Sequence, residues 1–154
     1  MDNKLEKIMV YICQNYPFKD ELSDARLTKM IYLTDWFSSV LVGHQATDIE
    51  WVFNHYGPYV RDIFELANSS ENFIIKNKMN PYGNNKAVIA YVGEDINVDI
   101  DTTSKKIINK VIDKTKSMYF NDFIDYVYST YPIKNNDRYT ILNLPKLAQE
   151  YKAL

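Results

Sequence analysis

Apolar residues recur at Leu5, Ile8, Met9, Ile12 and Cys13, the spacing of a helix with one buried face. Pro17 should end it, because proline disfavours helical geometry in the residue before it, here Tyr16. Ser23 and Asp24 are placed to cap a second helix over residues 25–41. Leu27, Met30, Ile31, Tyr32, Leu33, Trp36, Phe37, Val40 and Leu41 surround that helix almost completely. A helix that is apolar on most sides belongs at the centre of a fold. Gly43 follows where a helix would stop.

The period then shortens. Trp51 and Phe53 alternate with Glu50, Val52 and Asn54, which predicts a short strand over 49–54. Gly57 and Pro58 read as the corner where this strand becomes a helix, because proline presets the first helical φ. Val60, Ile63, Phe64 and Ala67 continue at helical spacing, with Asp62 and Glu65 near the positive end of the helix dipole. "ENFIIKNK" and "KAVIAYV" predict two strands joined by the turn "MNPYGNN", and with 49–54 they are expected to form one small antiparallel sheet. "DTTS" should cap a helix carrying Ile107, Ile108, Val111 and Ile112; another is expected from Asn121 to about Thr130, and a last one in "NLPKLAQEYKAL". The expected fold is α+β and helix-dominated, a single domain over 1–154 around a central apolar helix with a small antiparallel β-sheet.

Composition narrows the function more than the fold. Four glycines are few for a glycine-rich loop enzyme, whereas 13 tyrosines supply large rings with hydroxyls, suited to interfaces as well as core. The net charge of −2 conceals a split: residues 1–100 carry 9 Lys/Arg against 14 Asp/Glu, and residues 101–154 carry 9 against 6. The basic part is the better surface for an acidic partner. Cys13 is the lone cysteine, so no internal disulfide forms, and its place on an apolar stripe marks it as core. Neither a signal peptide nor an apolar run long enough to span a bilayer is evident, and a cytoplasmic location is expected.

A search for chemistry yields little. His44 and His55 stand far apart with no metal-binding motif, so no metal site or cofactor is expected. "HYGPY" offers one glycine before a proline that lacks an N–H, a poor phosphate cradle. Asp35 is notable because it lies inside the apolar helix, where an unpaired charge is costly. Lys29, Arg26 or a tyrosine hydroxyl is the expected compensation. A DNA-binding helix would display basic or amide side chains outward. Lys105, Lys106, Lys110, Lys114 and Lys116 partly share one side of their helix and are the best candidates, though nothing among them reads bases.

The run "LTKMIYLTDWFSSVLVGHQATDIEWVFNHYGPYVRDIFELA" resembles the core signature of the SocA-like antitoxin family, or Panacea domain, which includes phage-associated proteins. Lys29, Tyr32 and Asp35 match the helical part of that signature, and Tyr56, Gly57 and Pro58 match its Tyr-Gly-Pro corner; Trp51 completes the constellation. Members often end with a His and a Trp near a Pro, and "YVYSTYPIKNND" keeps the Tyr-Pro but lacks both. The resemblance implies a bacterial or phage antitoxin that neutralises a cognate protein toxin by direct binding, without catalysis and without a separate N-terminal DNA-binding module. A DNA-binding or regulatory protein of phage origin is the alternative, and an enzyme using His55, Tyr56 or Asp35 a third. Most of the matched residues are expected to build the fold.

Overall fold

The central helix is α2 (Asp24–Val42), in a computed structural model that describes residues 3–79, 83 and 85–154. Ser23 caps it by accepting the Arg26 N–H at 3.1 Å, and Gly43 ends it in left-handed backbone with φ 84°. Every residue from Arg26 to Trp36 is buried. Two buried hydroxyls of this helix turn back on it, Thr34 donating to the Met30 carbonyl and Ser39 to that of Asp35, while Ser38 donates beyond the helix to the His44 carbonyl. Helices α3 (Asp62–Ser69), α4 (Thr102–Thr115), α5 (Phe120–Tyr128) and α7 (Leu144–Lys152) all pack on α2, while α1 (Lys4–Asn15) lies against α3. Helix α6 (Tyr131–Lys134) is a single turn, separated from α5 because Pro132 must stand at a helix start. The helix-dominated α+β architecture around a central apolar helix is as the sequence predicts.

The strands depart from the expected single sheet. Strand β1 (Trp51–Asn54) pairs antiparallel with β2 (Gly57–Pro58) on one side and with β5 (Thr140–Leu142) on the other. Strands β3 (Phe73–Met79) and β4 (Asn85–Tyr91) form their own two-stranded sheet, in register from Phe73↔Tyr91 to Met79↔Asn85. Both hydrogen-bonding edges of β1 are therefore taken, and none remains for β3 or β4. Of the turn expected over 79–85, Met79 and Asn85 are the paired ends of β3 and β4 and Gly83 is described, while residues 80–82 and 84 lie outside the described residues.

Gly57 and Pro58 also do something other than open a helix. Gly57 has φ 99°, which reverses the chain so that Asn54 faces Gly57 and Phe53 faces Pro58. The Tyr59 N–H then donates to the Val52 carbonyl at 3.1 Å. Pro58 is tolerated because β2 is an edge strand. Helix α3 starts only at Asp62. A Cβ on Gly57 would lie 3.2 Å from the Tyr128 ring and 3.6 Å from Cε of Lys29, so the reversal is also a close approach. Gly57→Ala is expected to lower the unfolding free energy by about 1–3 kcal/mol, from strained backbone plus crowding. Urea unfolding followed by tryptophan fluorescence measures it; an unchanged midpoint would mean the hairpin accommodates a side chain.

Candidate functional site

Lys29, Tyr32 and Asp35 follow one another at three-residue intervals on α2, and each reaches a different later segment. Asp35 is 0% exposed. Its carboxylate accepts the Thr47 N–H at 2.9 Å, the Thr47 hydroxyl at 2.5 Å and the Trp51 indole N–H at 2.9 Å. The expected partners are thus corrected: among the described residues, no Lys, Arg or Tyr side chain bonds the Asp35 carboxylate. Arg26 is occupied elsewhere, donating to the carbonyls of Thr115 (2.6 Å), the last residue of α4, and of Met118 (3.1 Å) in the turn that follows. Burial pushes the Asp35 carboxyl up to about 6, against the opposing pull of Thr47 and Trp51.

Tyr32 is fully buried and meets the Trp51 ring edge-on, with centroids 5.6 Å apart. Its hydroxyl lies 2.8 Å from Thr130 Oγ1. Thr130 donates its own proton to the Val127 carbonyl at 2.7 Å, so Tyr32 is the donor in the first bond. This ties α2 to the junction between α5 and α6.

Lys29 is buried under the β1–β2 hairpin, with Cε close beneath Gly57 and Nζ 6.0 Å from the centre of the Tyr59 ring. Its ammonium has no hydrogen-bonding partner among the described residues. Burial lowers its pKa to about 8, and nearby Asp24 opposes that fall. Asp24 is itself held by the Tyr59 hydroxyl (2.7 Å) and by Thr28 (3.2 Å).

Tyr56 stands apart from the others. It occupies the hairpin tip and is 75% exposed, with its ring against His55 at 4.5 Å. His55 Nδ1 is 3.1 Å from the hydroxyl of Tyr139, itself 68% exposed, and Arg138 Nε donates to the His55 carbonyl at 2.9 Å. Exposed Ile141 follows on β5, directly paired with Val52. The structure therefore brings Lys29, Tyr32, Asp35, Trp51, Gly57 and Pro58 into the interior and sends Tyr56 outward. His55 and Asp35 are not brought together, one being exposed at the tip and the other sealed beneath β1. Among the described residues, no three His, Cys, Asp or Glu side chains gather where they could hold a metal ion. No helix among them is long and apolar enough to cross a membrane.

Sequence reasoning missed Thr47, Thr130 and Tyr139. Thr47 and Tyr139 lie in irregular segments and Thr130 caps a one-turn helix, so none has a periodic context to betray its partner. Tyr59 had a signal, as the residue closing the Tyr-Gly-Pro motif.

Replacing Asp35 by Asn puts an amide N–H₂ against an N–H or O–H donor, and is expected to cost about 1–3 kcal/mol. The pH dependence carries the more particular signature. A carboxyl titrating near 6 when folded, above the ordinary 3.8, binds its proton more tightly in the folded state. Its contribution to stability is complete below about pH 4 and is lost as pH rises through 6. Urea unfolding at a series of pH values between 4 and 7 should show this loss in the wild type and its absence in Asp35→Asn. Equal slopes in the two proteins would contradict it.

Comparison with known proteins bears on what the constellation belongs to. No curated protein and no solved structure matched the chain. A family model described as "Antitoxin SocA-like, Panacea domain" matches residues 27–132, from the second turn of α2 to α6. That span holds more than half the chain and every one of the buried and exposed motif residues described above, so the chain belongs to the SocA-like, Panacea-domain antitoxin family.

Proposed function

We propose that this protein is the antitoxin of a two-gene toxin–antitoxin pair and neutralises its partner toxin by direct protein–protein contact. Family membership supports the antitoxin role. The observation that carries direct binding is the exposed group of Tyr56 and His55 at the tip of the β1–β2 hairpin, with Tyr139 just before and Ile141 within the neighbouring β5, on a hairpin whose underside is fixed by buried groups. Large aromatic side chains held on a rigid base lose little freedom on binding, and such residues dominate interface energetics. In this reading Lys29, Tyr32, Asp35, Trp51, Gly57 and Pro58 hold the platform, and Tyr56 is the contact. The excess of acidic residues before residue 100 adds electrostatic attraction for a basic toxin surface, which acts mainly on association rate.

The test is co-expression with the product of the neighbouring gene in a growth assay, followed by co-purification and titration calorimetry. The expected result is that the neighbour alone arrests growth and this protein restores it. The double variant Tyr56→Ala/Tyr139→Ala should weaken the complex at least about tenfold. Its melting temperature should stay near that of the wild type, because both rings are exposed. A neighbour that is harmless alone, or is not rescued, would refute the antitoxin role. Full affinity in the double variant would move the contact elsewhere on the surface.

A further inference from the structure

The last turn and a half of α2 departs from the burial of the rest of that helix. Phe37 and Val40 are only partly buried, and Leu41 is 63% exposed. These side chains face Ile107 and Val111 of α4 across a groove of about 330 Å³, bounded at α5 by Tyr126. The apolar character of α2, which the core requires in its first three turns, continues here with nothing among the described residues covering it. Ile107 and Val111 at the base of the groove are buried, so its apolar surface is the strip of Phe37, Val40 and Leu41 along α2, contiguous rather than scattered.

One rim of this groove is charged. Lys106, Lys110 and Lys114 succeed one another at four-residue spacing on α4, one position before the stripe that includes Ile107 and Val111. Lys110 and Lys114 line the groove itself, and Lys114 Nζ lies 5.4 Å over the ring of Tyr126. Lys116 is excluded from this set because it pairs with Asp113 at 3.3 Å. The basic ridge that the sequence offered as a nucleic-acid surface is thus the wall of an apolar trough. A phosphate backbone would use the lysines and leave Leu41 and the part-buried Phe37 and Val40 uncovered. A protein segment with aliphatic residues on one face and carboxylates beside them would use both.

We propose that this groove between α2 and α4 binds an acidic amphipathic helix of the partner protein, its aliphatic face on Phe37, Val40 and Leu41 and its carboxylates on Lys110 and Lys114. The identity of that partner as a toxin rests on the function proposed above; the chemistry of the groove does not. Helix-in-groove recognition of this kind places anchors at i, i+3 or i+4, and i+7 of the bound segment.

The decisive experiment is selection from a displayed library of 16-residue helical peptides, with the full chain as target. Two variants serve as counter-targets, Lys110→Glu/Lys114→Glu and Leu41→Asp. All three positions are exposed, so both variants should keep the wild-type circular dichroism and melting temperature. The expected pool carries aliphatic residues at i, i+4 spacing flanked by Asp or Glu, and loses at least about tenfold in affinity on each variant. No enrichment, a basic pool, or peptides that bind both variants as well as the wild type would overturn the proposal. So would a labelled 20-base-pair duplex whose binding is lost in the lysine variant, or a homodimer that Leu41→Asp disperses. The growth assay separates this inference from the antitoxin reading. Rescue that persists in both variants sinks the groove alone, whereas selected acidic peptides with no rescue by the wild type sink the antitoxin role alone.

Discussion

A carboxylate at the centre of an apolar helix must be given hydrogen-bond donors or be neutralised, and Asp35 is given three. Two come from Thr47 and one from Trp51, so the loop after α2 and the first residue of β1 are bound to one point on the central helix. The rest of the structure follows from that point. Trp51, once fixed, meets Tyr32, which reaches on to Thr130 between α5 and α6. Strand β1, once fixed, receives β2 on one edge and β5 on the other. A buried charge of this kind is a weak source of net stability and a strong source of geometric selectivity, because only one arrangement of donors satisfies it. An apolar residue in its place would leave the Thr47 and Trp51 donors without their acceptor.

The longer helices were legible because each has its own period and its own punctuation, whereas the single turn of α6 was not anticipated. Ser23 and Gly43 mark α2 correctly to within a residue, and Asp101 caps α4 through the Ser104 N–H. The central place of α2 was legible from its all-round apolar character alone. The constellation of Lys29, Tyr32 and Asp35 was visible as a spacing, but its partners were not, since hydrogen bonds across the fold have no local signature. Gly57-Pro58 fits a helix start as well as a hairpin return. Tertiary packing chooses between them, because Tyr128 and Lys29 lie where a tight return brings Gly57. Strand β5 was not anticipated, because three residues are too few to establish an alternation and only pairing with β1 makes them a strand.

The hairpin shows how one short element serves the interior and the surface together. Gly57 presses on Lys29 and Tyr128 below, while the adjacent Tyr56 projects above. Lys29 is an unusual floor: a buried ammonium with a tyrosine ring and an aspartate near it and no hydrogen bond among the described residues. Its aliphatic stem supplies packing that a shorter residue could not, and its charge faces the π cloud of Tyr59 and the field of Asp24. Substitutions at Gly57 and Tyr56 therefore act on different properties of the protein, despite being neighbours in the chain.

Strand β5 also sets an order of events during synthesis. Strand β1 is translated by residue 54, yet its second edge is closed only when residues 140–142 arrive, and α7 reaches α2 later still. Until then a growing chain carries an unpaired strand edge next to a tryptophan and a half-covered central helix, the features that make nascent proteins adhere to other chains. Completion is thus a late, long-range closure rather than a local one. The interval in which this chain is incomplete is also the interval in which its stickiest elements are uncovered. A partner present at the ribosome would meet those elements before the finished fold conceals them.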